Sequence, residues 1–224
     1  MRHVHPGLAV LTVACCAVLV ACSPPAEQPV DGGTSAVRTP QAEATASDDG
    51  DGDGDDPAGA QALEPLTAPP ATWSGLTLGP VTLDVPDGFT QVDEPQDTTA
   101  RLTTWVARYG DQDGARAAIS VARDLDPQRD ASGTADAALQ AERAQRGVDD
   151  DASSALTWPG ADAAHHLTYL QDVAVGGTRV SHRAEWVYAD LPDGTQVAVG
   201  VLAPVDLFDE LALHDVLATW RTGP

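Results

Sequence analysis

Residues 165–201 read HHLTYLQDVAVGGTRVSHRAEWVYADLPDGTQVAVGV, and the fold class turns on how this stretch pairs with itself. Gly176-Gly177 has the composition of a two-residue hairpin turn. That turn sets Leu167 opposite Trp186, Tyr169 opposite Ala184 and Val173 opposite Val180. Reading Asp193-Gly194 as a second turn of the same kind sets Trp186 opposite Val201 and Tyr188 opposite Val199. Both registers gather the large apolar side chains on one face and leave His166, Thr168, Arg179, Ser181, Arg183, Glu185 and Gln196 on the other. The expectation is a three-stranded antiparallel meander with one packed face and one polar face.

Working upstream, VTLDV at 81–85 alternates Val81, Leu83 and Val85 against Thr82 and Asp84, and Pro86-Asp87-Gly88 then turns the chain. This is a strand with one buried face. Residues 101–109 and 116–125 form a second hairpin across the turn-rich segment 110–114. Thr134 is placed to cap a helix through ADAALQAERAQR, with Gly147 as its stop. Downstream, Leu213, Val216, Leu217 and Trp220 recur at helical spacing, with Asp206 or Asp209 near the N-terminus of a closing amphipathic helix. Strands and helices in this order give an α+β fold, an antiparallel sheet with helices packed on it.

All five Trp, all three Tyr and both Phe lie from Trp73 onward, so the core belongs to one domain, residues 72–224. The chain has 34 acids against 12 bases and a net charge of -22. Every base is Arg. Such a chain repels phosphate backbones, and no nucleic acid is expected as a partner.

The N-terminal segment MRHVHPGLAVLTVACCAVLVAC carries Arg2 and then an apolar run from Gly7 to Ala21. The run falls short of the roughly 20 residues that span a bilayer and reads as the apolar part of a secretory signal peptide, residues 1–21. Leu19-Val20-Ala21-Cys22 has the form of a lipobox, resembling bacterial lipoprotein signal peptides. The resemblance implies that the Cys22 thiol carries the lipid and anchors the protein to the extracytoplasmic face of the cell membrane. Cys15 and Cys16 lie in the discarded peptide, so the exported domain has no thiol for a disulfide.

Residues 22–71 are rich in Pro, Ala, Gly and acids and are expected to be a disordered tether. Within it, DDGDGDGDD at 48–56 mimics the opening of a calcium loop. Counting from Asp49, the twelfth position needs a bidentate carboxylate but holds Ala60, and Pro57 interrupts the loop. A solvated spacer fits better. By random-coil scaling the tether spans on the order of 40 Å.

The domain carries few signs of chemistry. His165 and His166 are neighbours in a strand and point to opposite faces, so they cannot chelate one ion together. Asp162 and His182 do not complete a site with them, because Gln171 faces His182 in the first register. Ser181 and His182 diverge for the same reason and make no nucleophile and base pair. Asp149-Asp150-Asp151 reads as a solvated loop, and Trp186 and Trp220 as core residues. Nucleotide-binding and hydrolase fingerprints are missing. No catalytic residue, cofactor or metal is expected.

The order VTLDVPDGF, hairpin ending in ISVARDL, single helix, meander through RAEWVYADLPDGTQVAVGV and closing LALHDVLATW resembles the PsbP-like sandwich superfamily, and within it the LpqN-type lipoproteins of actinobacteria. The resemblance covers residues 73–224. It implies an antiparallel sheet between helices and a non-enzymatic binding or accessory role. The expected function is a lipid-anchored envelope lipoprotein that binds a protein or envelope component. The alternatives are an envelope hydrolase using carboxylates and a small-ligand carrier.

Overall fold

In a computed structural model of the chain, the described residues are 62–223 except 93, 94, 96, 111–115, 146 and 176. The signal peptide, Cys22 and the acidic run at 48–56 lie outside them. The order is β1 (Ser74–Leu78), β2 (Val81–Val85), β3 (Phe89–Val92), β4 (Leu102–Tyr109), β5 (Ala117–Asp124), α1 (Ala131–Gln145), β6 (Asp149–Leu156), β7 (Ala163–Val175), β8 (Thr178–Asp190), β9 (Gln196–Pro204), α2 (Val205–Glu210), α3 (Leu213–Ala218) and β10 (Arg221–Thr222). The fold is α+β with antiparallel sheets. The main sheet has seven strands in the order β3-β4-β5-β9-β8-β7-β6. A second sheet, β1-β2-β10, has three.

Helix α1 packs on β7 and β8 on one face of the main sheet. The other face carries α2 and α3, with the small sheet joined to the same core through Leu78, Val81, Leu83 and Val85. Burial in β2 follows the expected alternation of Val81, Leu83 and Val85. The β4–β5 hairpin forms as expected, pairing Leu102 with Asp124 through Tyr109 with Ala117.

The first register of the meander holds: Leu167 faces Trp186, Tyr169 faces Ala184 and Val173 faces Val180. The second is shifted by one residue. Trp186 faces Gly200, Tyr188 faces Ala198 and Glu185 faces Val201. The cause is the turn, because residues 191–195 separate the paired Asp190 and Gln196. Gly194 N–H bonds the Leu191 carbonyl, Gly194 has φ 83°, and Asp193 accepts from the backbone and hydroxyl of Thr195. This is a tight turn extended by a left-handed glycine, which adds the odd residue that a two-residue turn lacks. A Cβ at position 200 would collide with the Trp186 ring, so glycine is the residue that fits beneath it.

The shift reassigns the faces. Gln196 joins Trp186, opposite Asp190, and both faces of the sheet centre are buried. Three local expectations also change. Helix α1 begins at Ala131, with Asp130 accepting from Gly133 N–H, so Thr134 sits buried inside the helix and does not cap it. The C-terminal helix is two short ones broken at Ala212, whose φ is 48°. Leu211 to Leu213 is a step of two that breaks helical spacing, and the left-handed residue resets the phase so that both helices bury their apolar sides. Trp220 lies beyond α3, stacked on Trp158 with centroids 5.1 Å apart. Asp149-Asp150-Asp151 opens strand β6 through a bulge and is not a free loop.

Packing begins upstream of residue 72. Leu63 is buried in the core, and Leu66 N–H bonds the Ala218 carbonyl at the end of α3. Among the described residues no helix is long and apolar enough to cross a membrane.

Candidate functional site

The alternation of β8 carries Arg183, Glu185, Val187 and Ala189 to the face under α2 and α3. There Glu185 is 0% exposed, and a buried carboxylate is costly unless paired and hydrogen-bonded. His166, on β7, donates from Nε2 to Glu185 Oε2 at 3.3 Å. His214, on α3, donates from Nδ1 to the same oxygen at 2.8 Å. The ionised carboxylate can only accept, so both ring nitrogens carry the proton. Arg183 Nη2 stands 2.5 Å from Oε1, a close ionic contact off the hydrogen-bonding direction that leaves this oxygen without a hydrogen-bond donor. The guanidinium also lies over the Phe208 ring of α2, 4.8 Å from its centroid.

Burial pushes the Glu185 carboxyl up. The hydrogen bonds from His166 and His214 and the charges of His214 and Arg183 overcome this and hold it at about 2. The cluster therefore joins β7, β8, α2 and α3 through one anion. Its carboxylate is enclosed, and its reach to solvent is through the partly exposed Arg183 and His214.

On the opposite face Trp186 and Tyr188 stack with centroids 6.2 Å apart. They pack with Leu139, Ala135 and Ala131 of α1. Packing is thus the role of Trp186 and of Trp220, as expected.

The other singled-out residues do not converge. His165 shares a 2.6 Å hydrogen bond with Ser153 on β6. His182 donates from Nδ1 to the Val180 carbonyl at 2.9 Å, opposite Gln171. Ser181 is exposed while His182 is buried. Asp162 is exposed, and Asp151 pairs with Arg143 at 2.7 Å. Among the described residues no group of three His, Cys, Asp or Glu side chains is arranged to hold a metal ion.

A cleft of about 350 Å³ lies at the start of α1, lined among others by Arg129, Asp130, Asp190 and Thr195. Both of its acids are engaged in holding the helix. Asp190 accepts from Ala131 N–H and from Gln196, and Asp130 accepts from Gly133 N–H.

Sequence reasoning missed the Glu185 cluster because the expected second register put Val199 and Val201 on the Trp186 face and left Glu185 on a polar one, whereas the observed register sets Val201 opposite Glu185. The usable signal was Gly200, whose missing side chain marks the position beneath a large ring.

No protein-family model matches the chain, and no curated protein does. Among solved structures, the chain is similar to LpqN of Mycobacterium tuberculosis, described as involved in cell envelope biogenesis, at 15% identity and TM-score 0.38. The match covers 64% of this chain and 83% of that one. PA94 of Pseudomonas aeruginosa, a putative regulator of unknown function, matches at 17% identity and TM-score 0.35 over 68% and 98% of the two chains. A Bacteroides thetaiotaomicron protein matches at 8% and 0.29 over 65% and 46%. None reaches a TM-score of 0.5, and the functional reading rests on the chain's own residues.

Proposed function

We propose that this chain is a lipid-anchored lipoprotein of the cell envelope, held at Cys22, whose domain binds a protein or envelope component and does not turn over a substrate. The observation that carries the binding reading is the state of Glu185. The most perturbed carboxylate among the described residues is enclosed, paired with Arg183 and hydrogen-bonded by His166 and His214, whereas a general acid or base must reach its substrate. The lipobox Leu19–Cys22 supports the anchor.

Two measurements test the two halves of the proposal. Cys22→Ala abolishes labelling by a fatty-acid analogue and releases the protein from the membrane fraction; label that persists in the variant contradicts the anchor. Photo-crosslinking in intact cells yields a discrete adduct with the domain; release of product from envelope material, lost on substitution of a domain carboxylate, contradicts the binding role.

A further inference from the structure

Strands β7 and β8 pair along their whole length, out to Val175 and Thr178. Their neighbours stop earlier: β6 ends its pairing where Asp149 meets Leu170, and β9 where Pro204 meets His182. Among the described residues the ribbon from 171 to 181 therefore has no strand on either side.

Two residues separate Val175 from Thr178, and in such a hairpin the flanking pair exchanges hydrogen bonds, as does every second pair after it. Odd-numbered residues of β7 thus turn their backbone groups to β8. Asp172 and Ala174, both exposed, turn theirs outward, on the side β6 has vacated. Proteins guard such edges with Lys, Pro or covering segments, and a two-stranded ribbon alone is marginal in water. This edge has no Lys or Pro between 171 and 175.

Its two faces differ in chemistry. Val173, Val175 and Val180 lie on the Trp186 side, with Val175 38% exposed. Asp172 lies on the other side with Asp149, which is exposed opposite Leu170, and Asp150 is exposed beside it. Arg143 is engaged by Asp151, and Arg179 stands 3.9 Å from Asp172 with both side chains largely in solvent. At the foot of the edge Gln171 is 5% exposed and its Oε1 has no hydrogen-bond donor among the described residues.

We propose that the free edge of β7, at Asp172 and Ala174, takes up an extended segment of a partner protein as an added strand, one alternating apolar residues with Lys or Arg. The proposal rests on the binding-module reading and gives that reading a surface. Outward N–H and C=O groups supply the main-chain bonds. The valine face receives the apolar residues, and Asp149, Asp150 and Asp172 receive the basic ones.

The test uses the full chain with two capped peptides, Lys-Val-Lys-Val-Lys-Val and Glu-Val-Glu-Val-Glu-Val, read by anisotropy and by amide exchange. The lysine peptide binds at least tenfold more tightly than the glutamate peptide and slows exchange at Asp172 and Ala174. Ala174→Pro removes only an outward N–H, so it weakens binding at least tenfold while the melting temperature stays within about 2 °C. The pair Asp149→Lys with Asp172→Lys, which leaves the backbone edge intact, reverses the peptide preference.

Equal binding of the two peptides, or full binding by Ala174→Pro, overturns the proposal. So does slowed exchange at these amides without peptide in a concentration-dependent dimer, which assigns the edge to a second copy. If cellular crosslinking captures the same partner with the wild type and with Ala174→Pro, the edge proposal fails and the binding-module reading stands.

Discussion

Both faces of β8 are dry from Ala184 to Ala189, and they are kept dry by different means. Toward α1, Trp186 lies over Gly200 and stacks on Tyr188 beneath a helix of small residues. Toward α2 and α3, Glu185 occupies the equivalent depth and is held by two imidazoles and a guanidinium. One face excludes water by shape and apolar area, the other by satisfying a charge. Alternation of apolar and polar residues distinguishes inside from outside only when one face of a sheet meets water, and here neither does at the centre.

The comparison can be broken first at its apolar side. Trp186→Ala empties a site that is 8% exposed and is expected to cost about 3 to 5 kcal/mol, measured by denaturant melts. A loss under about 1 kcal/mol would mean that the ring contributes little packing.

The charged side can be sharpened with pH. The folded-state pKa of Glu185 is depressed from 4.5 to about 2. Its contribution is therefore present above about pH 4.5 and is lost as pH falls through about 2, a change on the order of 3 kcal/mol. The stability gap between wild type and Glu185→Gln is expected to narrow over that window. A gap constant from pH 5 to pH 2 would contradict the ionised, partnered state.

A smaller effect tests the register that defines the two faces. Gly200→Ala adds a methyl group where the Trp186 ring lies, and the strain should cost about 1 to 3 kcal/mol. The ring must shift, so a changed tryptophan emission spectrum is expected with it. An unchanged spectrum and stability would refute the Trp186–Gly200 pairing.

Much of the fold could be read from residue pattern because turns and strands leave local marks. Gly176-Gly177 gives the β7–β8 register directly, and VTLDV shows its buried side by alternation alone. Pro192-Asp193-Gly194 misleads because the same dipeptide serves a two-residue turn and a longer one with a left-handed glycine, and the two differ by one residue in register. β6 escaped notice because DDDASSAL is mostly exposed and has no apolar period, and β10 because two residues carry no pattern at all. The Glu185 cluster was illegible for a further reason. Its members come from β7, β8 and α3, and only the fold brings His166, Arg183 and His214 to one carboxylate.

The central claim, that Glu185 is a buried anion joining the sheet to its C-terminal helices, is tested most directly by Glu185→Ala. Removing the carboxylate leaves Arg183 and two buried-side imidazoles without their common partner, and breaking a buried pair this way costs about 3 to 5 kcal/mol. Chemical denaturation should therefore show Glu185→Ala losing as much stability as Trp186→Ala at the neighbouring position. A loss within about 0.5 kcal/mol, the range of an exposed surface residue, would place Glu185 in water and contradict the account.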